Sequence, residues 1–216
     1  ITLGRFFGLH VWLLPLILLG LVAFHFYLIR AHGITSPDGR EIDKKKEGVP
    51  FHPYITLKEG AYLMGYLAVF FFFVFFYMKH FLPADNYDPA DPFKTPAHIA
   101  PEWYLLAFYT MFRSIPDKFL GFVVFNLALL LLLILPFLDF SPLRSARNRP
   151  LFFVMFLVLV ISSMALTILG TMPPTPTNAL LGFIFTLGFL SFFISMPIIS
   201  ILEWGWYKAK GGSKND

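Results

Sequence analysis

The sequence predicts an all-α integral membrane protein: five transmembrane helices, with a short interfacial helix in a long outer loop that carries Pro101-Glu102-Trp103-Tyr104. Three observations predict it. Of the 216 residues, 57% are hydrophobic and only 14% charged, with 28 Phe and a mean hydropathy of +0.68, a balance foreign to soluble domains. Apolar runs reaching the roughly 20 residues that cross a bilayer fall at about 6–29, 61–82, 119–138, 151–170 and 178–203. Finally, Arg5, Lys79, Lys94, Arg113 and Lys118 are five of the 17 Lys and Arg residues. The other twelve follow the first and third spans or the last, which marks those segments as cytoplasmic.

Composition also excludes chemistry. With no cysteine there is no disulfide, no thiolate-ligated cluster and no Cys-x-x-Cys-His haem attachment, so a haem held here is of the non-covalent b type. The net charge of +4 is modest and calls for no nucleic-acid partner. The chain opens at Ile1, without Met or a readable leader, as a processed or partial chain would.

The first span carries His10 and His25. Fifteen residues of α-helix separate them by about 22 Å along the axis and about 60° around it. A histidine in hydrocarbon is costly and faces a protein interior, a cavity or a cofactor. Taken singly, each is more often a packing residue than a ligand, but two at opposite depths suit two haems stacked across a bilayer. Pro15 lies between them and predicts a bend.

The cytoplasmic segment that follows holds a Pro37-Asp38-Gly39 turn and the solvated run Asp43-Lys44-Lys45-Lys46-Glu47. It then reaches Phe51-His52-Pro53-Tyr54 and the Lys58-Glu59 pair, which read either as an interface anchor or as polar groups aimed into a cytoplasmic-side pocket. The aromatic run 70–77 in the second span reads as lipid-facing or haem-edge packing. In the long outer segment 83–118, Pro101 suits a first helical position and Glu102 complements the positive helix end. About 15 helical residues there are too few to span a membrane. The fourth and fifth spans read as scaffold, and Glu203 with Trp204, Trp206 and Tyr207 as an interfacial belt.

Thr95-Pro96-Ala97-His98-Ile99, the Pro-Glu-Trp-Tyr stretch and Arg113-Ser114-Ile115-Pro116-Asp117-Lys118, following the two-histidine helix and Phe51-His52-Pro53-Tyr54, resemble the cytochrome b family in order and in sidedness. That family is the membrane core of quinol:cytochrome c oxidoreductases and their plastoquinol-oxidising relatives. The resemblance runs over nearly the whole chain and matches the family's fourth to eighth helices.

It implies a haem-ligating helix at 1–32, a cytoplasmic loop at 33–60 near an inner quinone site, and a C-terminal domain at 61–216 with the outer quinol site at 83–118. His10 and His25 become axial ligands of a low- and a high-potential haem b, their partner histidines coming from a segment this sequence lacks. Glu102 and Tyr109 become the catalytic pair at the quinol, with Trp103 and Tyr104 beside it. Arg30, Lys58 and Glu59 match positions near the inner quinone site, where bc-type members carry Asp in place of Glu59. The implied partners are an N-terminal cytochrome b segment or subunit, a Rieske iron–sulfur protein and a c-type cytochrome, in a dimeric complex.

The fifteen-residue histidine spacing and the stretch from Leu28 to Ile34 resemble the chloroplast and cyanobacterial type, since bc-type members space these ligands by fourteen. Phe51-His52-Pro53-Tyr54 and Arg113-Ser114-Ile115-Pro116 resemble the bc type. A bacterial enzyme of the inner membrane, mixed in character, accommodates both better than an organellar one. The competing readings are a structural membrane subunit that binds no haem, another dihaem quinol-linked anchor, which the Pro-Glu-Trp-Tyr stretch opposes, and an ion transporter, for which the spans hold few charged groups.

Overall fold

A computed structural model of the chain describes residues 2–33, 36, 37, 42, 43, 45–82, 87–89, 91, 93, 94, 99–143 and 145–211. Ile34, Asp38, Gly39, Lys44 and Thr95-Pro96-Ala97-His98, singled out in the sequence, lie outside the described residues.

Among the described residues the structure is helical and five helices are long and apolar enough to span a membrane. The first is a 31-residue rod, Thr2–His32, made of α1 (Thr2–Gly8), a π turn (Leu9–Leu13) and α2 (Leu14–His32). It stops at Gly33, whose φ of 75° suits a residue without Cβ and whose N–H reaches back to the Ile29 carbonyl. A π turn (Phe51–Ile55) leads into α3 (Thr56–Phe76). This helix begins five residues before the apolar run at 61, because Lys58 and Glu59 occupy its first turn. It also stops before 82: Tyr77 leaves the helical region with φ −124° and ψ 10°, and α4 (Met78–Phe81) is a separate turn.

The Pro-Glu-Trp-Tyr stretch is not helical from Pro101. Glu102 is extended, with ψ 155°, and precedes a 3-10 turn (Trp103–Leu105) that leads into α5 (Leu106–Ser114). Helix α5 ends at Ile115, which is extended because Pro116 follows it. Asp117 caps α6 (Lys118–Leu138) by accepting the Leu120 N–H at 2.7 Å. Helix α7 (Pro150–Thr171) starts with proline at its first position, where the missing N–H costs nothing. Helix α8 (Pro176–Ala209) does the same, with Thr175 Oγ1 accepting the Asn178 N–H at 3.2 Å.

The chain forms two compact units, one of residues 1–42, 131–159 and 190–216, the other of 43–130 and 160–189. In the first, Phe192, Phe193 and Met196 of α8 are buried, and Phe192 meets Phe152 edge to face. Glu203 does not join an interfacial belt. It is buried, accepting hydrogen bonds from Arg149 and from the backbone of Phe152, while Trp204 and Trp206 lie under Lys208 and Lys210.

In the second unit α5 is packed against neighbouring helices, with Leu106, Ala107, Thr110, Met111 and Ser114 buried. Glycines permit the approach: a Cβ at Gly121 of α6 would come within 2.5 Å of the Phe112 carbonyl oxygen, and one at Gly182 of α8 would overlap Ser114 Oγ. By contrast, no residue of α1, α2 or α3 is buried.

Candidate functional site

The second unit carries an open apolar pocket of about 430 Å³. Ile99 and Pro101 approach it, Leu105, Tyr109 and Phe112 face it from the 3-10 turn and α5, and Phe122 and Phe125 close it from α6. Residues 105, 109 and 112 share one helical face by their spacing. Tyr109 is the single lining residue whose side chain holds a polar atom, so the cavity suits a flat, largely apolar ligand oriented by one hydroxyl. Phe108, on the adjacent face of α5, meets Phe125 and Phe189 edge to face and fixes the helix behind it.

The structure therefore brings Tyr109 into the cavity and sets Glu102 next to a lining residue, Pro101. Glu102 is exposed; its carbonyl accepts the Leu105 N–H at 2.9 Å, and its side chain makes no capping bond. Its carboxylate is thus uncommitted by the local fold. Trp103 and Tyr104 are 73% and 59% exposed and do not line the cavity.

Arg113, unassigned by the sequence, packs over the Tyr109 ring, 5.1 Å from its centroid, and donates to the carbonyls of Leu169 and Met172. Thr110 donates to Leu106 and Leu166 carbonyls at 2.9 and 2.8 Å, tying α5 to α7. Neither link to α7 and the residues just past it has a sequence signal, because the acceptors there are backbone atoms 56 or more residues away.

His10 and His25 are both exposed on the unburied first rod. Just before Pro15 the helix widens into a π turn that contains His10, the Leu14 N–H bonding to the Leu9 carbonyl across it. Because His10 lies inside this wide turn, part of its unwinding falls between the two histidines and reduces their rotation below that of a plain α-helix. No group of three or more His, Cys, Asp or Glu gathers among the described residues. Each histidine thus offers a single imidazole donor on an open helix face, which fits an axial haem ligand whose counterpart comes from elsewhere. Arg30, exposed at the end of α2, belongs to the first unit. Lys58 and Glu59, exposed in the first turn of α3, belong to the second, where Lys58 lies 5.7 Å from the Tyr54 ring centroid.

Five helices long and apolar enough to span a membrane, a first rod carrying two exposed histidines and an apolar pocket beside Pro101-Glu102 mark an integral membrane protein. Residues 89–204 match the family profile described as Cytochrome b(C-terminal)/b6/petD, and residues 1–89 match Cytochrome b(N-terminal)/b6/petB. The chain belongs to the cytochrome b family, whose members bind haem b.

It is 41% identical to cytochrome b of Allochromatium vinosum over 94% of this chain and 53% of the relative. It is 40% identical to cytochrome b of Rhodospirillum rubrum over 96% of this chain and 50% of the relative. A solved chain from a hyperthermophilic respiratory Complex III superposes with a TM-score of 0.86 at 70% identity, covering 95% of this chain and 53% of that one. The chain thus spans about half the length of these relatives.

Proposed function

We propose that this chain is the quinol-oxidising, haem-ligating part of cytochrome b in a proton-translocating quinol:cytochrome c oxidoreductase of a bacterial inner membrane. The observation that carries the reading is the apolar pocket lined by Tyr109 and by Pro101, whose sequence neighbour Glu102 has an exposed carboxylate that makes no capping bond. Its partners on this reading are an N-terminal cytochrome b segment, a Rieske iron–sulfur protein and a c-type cytochrome, in a dimeric complex.

Quinol oxidation releases two protons and two electrons. The apolar walls hold the headgroup, and the Tyr109 hydroxyl orients it. Glu102 accepts a proton and, being exposed, releases it to the outer aqueous side. Trp103 and Tyr104, exposed beside Glu102, border the mouth or a partner surface. His10 and His25 would each help hold a b haem through an imidazole nitrogen, and the haems would supply one-electron redox chemistry. Lys58 and Glu59, adjacent in the first turn of α3, serve an inner quinone site on the cytoplasmic side, Lys58 with positive charge and Glu59 with a carboxylate that donates or accepts protons; Arg30 is assigned to that function by the family resemblance alone.

A potentiometric optical titration of the complex containing this chain tests the reading. Two b-type components separated in potential are expected, together with a steep loss of quinol oxidation in Glu102→Gln that retains both components. No b-type component in an intact complex would leave a haem-free structural subunit. Full turnover in Glu102→Gln would reduce that carboxylate to a helix-terminus charge worth about 1 kcal/mol or less.

A further inference from the structure

We infer that Arg113 is a positioning residue for the reaction at this cavity: it holds the Tyr109 ring and thereby sets how a quinol headgroup is bound. The inference rests on the quinol-oxidising reading above.

Tyr109 and Arg113 are four residues apart on α5, so their side chains meet on one face. The guanidinium carbon stands 5.1 Å from the ring centroid, within the range of a cation–π contact. The cation is not free to leave. One of its terminal nitrogens donates to the Leu169 carbonyl and, at 2.7 Å, to the Met172 carbonyl. These acceptors stand at the C-terminal end of α7, which closes at Thr171. The last carbonyls of a helix lack intrahelical partners and carry the negative end of its dipole, so a cation is stabilised there.

The guanidinium is therefore a plate fixed by α7 against which the Tyr109 ring rests. Among the described residues no hydrogen bond holds the Tyr109 hydroxyl, so the ring's direction depends on this contact and on its apolar neighbours. Because that hydroxyl is the one polar side-chain group among the lining residues, fixing the ring fixes the headgroup's reference point. Lysine cannot substitute fully, since an ammonium has neither the plane that stacks on the ring nor the guanidinium's fixed fork of donors.

The test uses the intact complex with decyl-chain benzoquinol and decyl-chain naphthoquinol, taking whichever the wild type oxidises faster. Arg113→Gln is expected to raise KM about five- to tenfold with kcat changed less than about twofold, and Arg113→Lys to recover part of the loss. Both b-type components should remain. If Arg113 acts through Tyr109, Arg113→Gln combined with Tyr109→Leu has the same KM as Tyr109→Leu alone.

Multiplication of the two effects would overturn the inference and leave Arg113 as a tether between α5 and α7. An unchanged KM in Arg113→Gln would overturn it as well, while loss of turnover in Glu102→Gln would keep the quinol site itself intact. Full turnover in Glu102→Gln, Tyr109→Leu and Arg113→Gln alike would instead reject the quinol site. Where Arg113→Gln does not assemble, Arg113→Lys carries the same comparison.

Discussion

Arg149 and Glu203 meet through Nε and Oε2 at 3.1 Å with side chains only 6% and 2% exposed. The other Glu203 oxygen accepts the Phe152 N–H at 2.9 Å in the first turn of α7, where a helix favours negative charge. Asp139, just past the end of α6, takes two guanidinium nitrogens at 2.7 and 2.9 Å. One arginine thus joins the end of α6, the start of α7 and the body of α8. Removing it strands two carboxylates, and Arg149→Met is expected to cost about 3–5 kcal/mol. Glu203→Gln costs less, because Asp139 still balances the cation. Apparent melting temperatures of the purified complex check the order; an unchanged value in Arg149→Met would show that the triad adds nothing.

The same triad sets a pH expectation. Burial pushes the Arg149 guanidinium down, but its bonds and charge interactions with Asp139 and Glu203 outweigh that and raise it above the ordinary arginine value. A raised folded-state value means the contribution is complete below the ordinary arginine range and is lost only as pH climbs beyond it. The melting difference between wild type and Arg149→Met is therefore expected to show no arginine-driven change from about pH 6 to 9. A steady fall toward the alkaline end would contradict this.

Gly182→Ala should disable the cavity from behind. The new methyl group would overlap Ser114 Oγ and lie 3.1 Å from Thr110 Cγ2, so α5 must shift and carry Tyr109 with it. A stability cost of about 1–3 kcal/mol and a fall in quinol oxidation are expected, with both b-type components retained. Gly205→Ala, whose Cβ meets nothing within 4 Å, is the matched control. Equal turnover in the two variants would remove the link between α5 packing and the site.

Thr110→Val keeps the shape of a buried side chain but leaves the Leu166 carbonyl without that donor. The expected cost is about 1 kcal/mol, with Thr110→Ser close to wild type. Melting of the three proteins under one condition decides whether the hydroxyl or only its volume matters.

His10→Leu and His25→Leu should each abolish one b-type component and leave the other. Reduced-minus-oxidised spectra of the two complexes are the measurement. Survival of both components in either variant would remove that histidine from ligation.

The five spans were legible because a membrane helix must be continuously apolar, and their limits shifted only where another rule intervened. Lys58 and Glu59 hid the first turn of α3, and the break at Tyr77 was masked by the aromatic run that ends there. Pro101 and Glu102 look like a helix start in sequence, yet the backbone stays extended through Glu102 before the 3-10 turn.

Glu203 was misread since its partners are distant in sequence, Arg149 being 54 residues away. Tyr109 was legible through a family resemblance, whereas the cavity around it was not: its lining is drawn from three segments of ordinary apolar residues, which no spacing rule connects. Arg113 stands in a recognisable stretch, but its carbonyl acceptors carry no residue-type signal at all.

The π turn at His10 separates two kinds of distance that are easily treated as one. Measured in residues, the histidines are fifteen apart, the count associated with plastoquinol-oxidising proteins. Measured in rotation, the wide turn takes up part of one residue's angle, so the pair turns through less than the roughly 1,500° of fifteen regular α-helical residues. The interval in residues and the interval in angle are therefore separate quantities in this chain. A one-residue deletion among residues 11–13 is expected to restore α geometry and to turn His25 relative to His10 by less than the roughly 100° that a deletion in regular α-helix would cause.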